Sequence, residues 1–254
     1  MFIESLGEDL FTLRACSLVS SVFHHFCSPI LYRVILLDRR EKVDSFIQMG
    51  EGSNSLQHTK SLILTYHELK PQHRKPHKIL DIVSRKASLE TLRLHRVQFH
   101  TEPLKESTLS KLSGVTTLAL QDCHFGGFED FVSFIRCFPR CKNLRLHGCG
   151  WIQSSEHVKL KFRGFPTYDL SPTYLEIADT TMMEWGEQFR NQGNIVGMAW
   201  LNLTGLKSFT YMIRDEMASE GVLEHIAACQ LLEEIDMALL YPGGHNYGER
   251  KTLP

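Results

Sequence analysis

One six-residue phrase recurs along the chain: an apolar residue, two variable ones, an apolar residue, one variable, and a final apolar residue. The clearest copies are Leu89-Glu90-Thr91-Leu92-Arg93-Leu94, Val115-Thr116-Thr117-Leu118-Ala119-Leu120 and Cys141-Lys142-Asn143-Leu144-Arg145-Leu146. Aligned on the central apolar residue, weaker copies fall at Leu62, Leu175, Phe209 and Ile235, so successive centres lie 30, 26, 26, 31, 34 and 26 residues apart. With 43% hydrophobic residues, one three-position match arises by chance about 8% of the time, so the information lies in the ordered series. Such a series restricts the chain to architectures in which one small unit stacks on the next.

The spacing has a physical reason. Residues two apart on an extended strand point to the same side, so Leu92 and Leu94 face a core while Thr91, Arg93 and His95 face outward. Leu89 anchors the chain as it enters the strand. Three places beyond the last strand leucine, Cys123 and Cys149 supply a small group that can satisfy backbone where the chain bends away; Val97 and His67 hold that place in other copies. Helical spacing falls between the copies, in Phe128, Phe131, Val132, Ile135 and Phe138, and in Val222, Leu223, Ile226 and Ala227. The pattern resembles leucine-rich repeats. The fold expected is therefore α/β: a curved leucine-rich-repeat-like solenoid over residues 39–241, with parallel strands inside and helices outside, and a flexible C-terminal tail at 242–254. Leu62 and Leu175 mark the least regular copies, because Thr59 and Pro172 replace the first leucine.

Composition narrows the function. Twenty-eight basic against 29 acidic residues leave a formal net charge of -1, which speaks against a dedicated nucleic-acid or anionic-membrane binder. The acidic start, Met1 to Leu10, lacks the features of a signal peptide, and no apolar run reaches transmembrane length. Seven cysteines, odd in number and irregularly spaced, fit a reduced cytoplasmic or nuclear setting. No nucleophile elbow, phosphate-cradling loop or His-Glu-x-x-His helix is present, so neither enzyme activity nor a cofactor is expected. Gly126-Gly127 and Gly243-Gly244 read as turns. Cys123, His124, Cys137, Cys141, His147 and Cys149 lack a Cys-x-x-Cys knuckle and read as repeat packing, not as a zinc site. His24-His25 and the stretch from His67 to His77 read as a solvated helix face and a loop, and Met182, Met183 and Trp185 as packing residues.

The amino-terminal residues stand outside the repeat. Thr12 can cap a helix whose apolar face is Leu13, Cys16, Val19, Val22, Phe23 and Phe26, with Ser28-Pro29 ending it; Leu31 to Leu37 is an extended run able to begin the sheet. Thr12 to Phe23, followed by Ser28-Pro29-Ile30-Leu31-Tyr32-Arg33-Val34-Ile35, resembles the later half of an F-box, as found in the fungal (mushroom-type) F-box and leucine-rich-repeat proteins. That resemblance implies docking on the Skp adaptor of a cullin-RING ubiquitin ligase, with Leu13, Leu18, Val19 and Phe23 as adaptor-binding candidates and the repeats holding a protein substrate. The chain departs from the family in lacking the opening Leu-Pro phrase: only Phe2, Ile3 and Leu6 precede Gly7, so residues 1–38 are expected to form a partial F-box-like helical segment. Two roles make opposite demands. As a cap on the repeats, the favoured expectation, Val19, Val22 and Phe23 pack on the first layer. As a docking element they form an exposed apolar patch.

The outward strand positions supply the other candidate surface. Arg93, His95, Arg145 and His147 cluster centrally and are the partner-binding candidates, suited to an acidic or phosphorylated segment because guanidinium can fork onto carboxylate or phosphate. Thr117, Ala119 and Gln121 lie among them; Tyr174, Glu176, Ser208, Thr210, Met212, Glu234 and Asp236 follow. The expected function is a protein-interaction module, a substrate receptor of a Skp-cullin-F-box ubiquitin ligase, with a stand-alone repeat scaffold as the alternative.

Overall fold

The structure, a computed structural model, describes residues 9–52, 55–66, 75–99, 106–151, 170–178, 201–213, 229–240 and 246–251. It opens with two helices, α1 (Leu10–Val19) and α2 (Ser21–Leu31), where one helix capped at Thr12 is the sequence expectation. Asp9 is the cap, accepting from Thr12 N–H at 3.0 Å. Ser20 is extended (φ -158°, ψ 160°) and its hydroxyl accepts from Phe23 N–H at 3.2 Å, so it ends one helix and starts the next. Pro29 sits inside α2, which runs to Leu31 instead of stopping at Ser28-Pro29; beside it the Ser28 hydroxyl donates to the His24 carbonyl at 2.7 Å.

The extended run after Leu31 becomes β1 (Val34–Leu37). It is followed by α3 (Arg40–Gly52), β2 (Ser61–Thr65), α4 (Pro76–Lys86), β3 (Thr91–His95), α5 (Glu106–Leu109), β4 (Thr117–Gln121), β5 (His124–Phe125), α6 (Phe128–Arg136), β6 (Asn143–His147), β7 (Gly150–Trp151), β8 (Tyr174–Ala178), β9 (Ser208–Ile213), β10 (Glu234–Leu240) and β11 (Asn246–Lys251). The main sheet has the order β1-β2-β3-β4-β6-β8-β9-β10-β11. Its first eight strands are parallel; β11 joins β10 antiparallel. Asn246–Lys251 thus pairs as a strand within the segment read from sequence as a tail.

All seven expected strand centres lie in one row of the sheet. Ile35, Leu62, Leu92, Leu118, Leu144, Leu175, Phe209 and Ile235 are successive register partners. The register is fixed at the strand entries: the carbonyls of Arg33, Lys60, Glu90, Thr116, Lys142, Thr173 and Lys207 each accept two N–H groups from the start of the next strand, at 2.8–3.1 Å. From β2 to β10, each parallel strand of the main sheet therefore begins with its first backbone donors satisfied by the chain entering its neighbour.

The inward residues of these strands form one apolar cluster with the helices, including Val43, Phe46 and Ile47 of α3, Ile79, Leu80 and Val83 of α4, and Phe131, Val132 and Ile135 of α6. These recur at helical spacing, which gives each helix one buried stripe. Beneath the central strands Phe99 stacks on Phe125 with centroids 5.0 Å apart, and Phe131 meets Phe125 edge-on at 5.3 Å. Complete burial of one such side chain contributes about 1.5–3 kcal/mol. The molecule is thus a mixed α/β structure with helices packed on the buried side of a largely parallel sheet. The helical spacing around Val222, the Met182 to Trp185 cluster, His67 and Gly243-Gly244 lie outside the described residues.

The chain leaves three successive strands by the same turn. Arg96, Asp122 and Gly148 occupy equivalent places with φ of 57°, 51° and 57°, and the next residues, Val97, Cys123 and Cys149, are buried. Beyond them a second, short parallel sheet pairs β5 with β7. A side-chain carbon on Gly148 would sit 2.5 Å from Asp122 Oδ1, so glycine meets both the conformation and the close approach there. Among the described residues no helix is long and apolar enough to cross a membrane.

Candidate interaction surfaces

The helical pair does not cap the sheet with the face expected of it. Leu18, Val19, Val22 and Phe23 are 87%, 75%, 61% and 42% exposed, and Leu10, Phe11 and Phe26 are exposed beside them. The reason lies in how the pair is held: α1 packs on α2, and α2 meets the 3-10 turn Ser55–His58, with Leu13, Cys27 and Ser28 buried. The residues used for this attachment are buried, and the large apolar ones outside it stay exposed. Of the four adaptor-binding candidates, Leu18, Val19 and Phe23 are accessible, whereas Leu13 is completely buried and cannot make an external contact. Val34 and Leu36 on the edge strand β1 are also exposed.

The outward rows of the sheet bring the four partner-binding candidates together on β3 and β6, with β4 between them. Their electrostatic states differ. Arg145 Nε lies 3.2 Å from Glu176 Oε2, His147 Nε2 lies 2.8 Å from Glu176 Oε1, and the Tyr174 hydroxyl donates to Glu176 Oε2 at 2.7 Å. The Arg145 guanidinium also stands 5.2 Å from the centre of the Tyr174 ring. Burial, and next the Glu176 carboxylate, hold the Tyr174 phenol above its ordinary pKa. His95 Nε2 lies 3.2 Å from Asp122 Oδ2, which Arg96 Nε approaches to 3.5 Å. Arg93 is exposed and has no carboxylate partner among the described residues. Alternation along a strand found the outward positions; it gave no sign of Asp122, which lies one residue past the end of β4, nor of Arg96.

The cysteines beside the central strands serve the backbone. Cys123 Sγ donates to the Leu94 carbonyl at 3.3 Å, and Cys149 Sγ to the Leu120 carbonyl at 3.7 Å, one strand apart in the same geometry. Burial pushes the Cys123 thiol up to about 12, the Cys141 thiol up to about 11 and the Cys149 thiol well above the usual range. They remain neutral donors at ordinary pH, unlike a metal ligand or nucleophile, which must be a thiolate. Among the described residues no three of His, Cys, Asp and Glu converge on a point able to hold a metal ion. A cavity of about 440 Å³ is lined by Phe99, Phe125, Phe134, Ser110, Arg136 and Cys137 among others; its Asp130 carboxylate is engaged with Gly127 N–H at 3.1 Å. Comparison with family models, with curated proteins and with solved structures finds no match to this chain.

Proposed function

We propose that the chain is a protein-interaction module: a leucine-rich-repeat-like solenoid whose amino-terminal helical pair docks on the Skp adaptor of a cullin-RING ubiquitin ligase, while the outer face of the sheet receives a protein substrate. The observation that carries this reading is the uncovered apolar face of Leu18, Val19, Val22 and Phe23. Large apolar side chains left exposed close together in sequence point to an interaction site, and these fall on the segment whose residues resemble the later half of an F-box. Leu13, completely buried, does not itself touch the adaptor. The fixed register of the strands supports the repeat reading, since each 26- to 34-residue unit adds one strand in line with the last.

The test is copurification of the full chain with a Skp adaptor. The intact protein is expected to retain the adaptor, and Leu18→Asp or Phe23→Asp to lose it without change in thermal unfolding. Failure of the unsubstituted chain to bind, or binding unaffected by both substitutions, would overturn the adaptor role and favour a stand-alone scaffold.

A further inference from the structure

The third row across the sheet reads Leu36, Ile63, Arg93, Ala119, Arg145, Glu176, Thr210 and Asp236. Neighbouring strands lie about 4.8 Å apart, which puts Arg93 and Arg145 about 10 Å apart along the sheet. Between them stands Ala119, whose methyl group leaves a shallow floor with a guanidinium on either side. The two guanidinium groups are not equivalent. Arg145 is held by Glu176, whose side chain is only 13% exposed, whereas Arg93 has no carboxylate among the described residues. Counting arginines against carboxylates among the described residues of this patch, Arg93, Arg96 and Arg145 stand against Asp122 and Glu176, which leaves one positive charge unbalanced. On the far side of Arg93 the row turns apolar, with Leu36 exposed and Ile63 half-buried.

Resting on the reading that this face holds a protein partner, we propose that it selects an unphosphorylated segment in which an Asp or Glu lies two residues from an apolar side chain. The carboxylate pairs with Arg93, and the apolar side chain rests on Leu36 and Ile63. One unbalanced guanidinium matches one carboxylate. A phosphate monoester carries about -1.5 to -2 and would need a second free cation, which the commitment of Arg145 to Glu176 denies it. The spacing follows from geometry. The midpoint of Leu36 and Ile63 lies about 7 Å from Arg93, and residues two apart in an extended partner point the same way and are separated by about that distance.

The experiment uses the full chain without adaptor, so that its failure leaves the adaptor reading standing and failure of the adaptor test leaves this one standing. Short fluorescent peptides with a Leu-x-Glu core or its reverse, in uncharged flanks, are titrated beside versions carrying Gln or phosphoserine in place of Glu. The expected result is binding of at least one Glu peptide, weakened about tenfold or more by Gln, as loss of a charged hydrogen bond implies. Arg93→Gln removes the preference for Glu over Gln; Lys142→Gln, exposed at a strand entry outside the patch, leaves it intact. Unchanged unfolding of both variants ensures that the comparison reads the surface. Equal binding of Glu and Gln peptides, tighter binding of phosphoserine than of Glu, a Glu preference that survives Arg93→Gln, or no binding by any peptide would each overturn the proposal.

Discussion

Leu118 and Leu18 carry the same side chain into opposite surroundings, one completely buried and the other 87% exposed. Leu118 lies between its register partners Leu92 and Leu144, so the strands on either side bring matching apolar groups to the same depth. The helical pair has no such repetition. Each helix covers part of the other, α2 reaches the 3-10 turn at Ser55–His58, and the large apolar side chains on the remaining face stay exposed. Apolar content alone therefore does not bury a residue; strands aligned in register do. In the central strands the apolar surface is covered on folding, whereas on α1 and α2 much of it stays exposed.

The largest effects should separate these two regions. Leu118→Ala or Leu144→Ala is expected to destabilise the protein by about 2–5 kcal/mol, from lost transfer free energy and a cavity. Leu18→Ala and Arg93→Ala should stay within about 0.5 kcal/mol, as exposed positions do. Urea unfolding measures all four, and a similar cost at Leu18 and Leu118 would erase the contrast. An intermediate effect is expected at the turn leaving β6. Gly148→Ala places a side chain at φ +57° and 2.5 Å from Asp122 Oδ1, which should cost about 1–2 kcal/mol. Displacement of Asp122 should also change the His95 ring signals in an NMR spectrum; an unaltered His95 would mean that the carboxylate has room to yield.

The smallest effect sharpens the account of the helical pair. The Asp9 carboxyl sits below the ordinary value because the Thr12 hydroxyl, and then the Thr12 backbone N–H, donate to it. A depressed folded pKa contributes stability that is present above the unfolded value of about 3.9 and is lost as pH falls through the folded one. Hydrogen exchange at Thr12 N–H should therefore accelerate on acidification below about pH 4 relative to its intrinsic rate. Asp9→Asn, which keeps a capping oxygen and removes the titration, should flatten that dependence.

What was legible in the sequence was whatever the core imposes at short range. Alternation fixed the strand residues from Leu62 to Ile235, and the 3.6-residue spacing found α6, because both periodicities record which side chains must be apolar. The break at Ser20 was hidden, since Leu18, Val19 and Val22 continue an apolar pattern across it; only the extended backbone at Ser20 reveals two helices. The exit turns were equally silent at Arg96, a residue with no preference for positive φ, and became recognisable only where Gly148 aligns with it and with Asp122. β11 carried little signal because Asn246–Lys251 is polar and pairs along only one edge in the sheet order. For the candidate surface, the outward positions were legible but their ion pairs were not. Whether Arg145 is engaged depends on Glu176 arriving from the next strand.

The doubly accepting carbonyls at the strand entries have a consequence for how such a chain can change over time. Because Lys60, Glu90, Thr116, Lys142, Thr173 and Lys207 each seat the first two donors of the following strand, alignment is set at a point and does not depend on the length of chain between one seat and the next. Lengthening a flexible connection is cheap, with each doubling costing only about 0.6 kcal/mol. Insertions and deletions in the return segments can therefore accumulate, or be introduced by grafting, while the rows of the sheet stay in line. One side of the molecule can be rewritten in length and content without disturbing the spacing of the side chains displayed on the other.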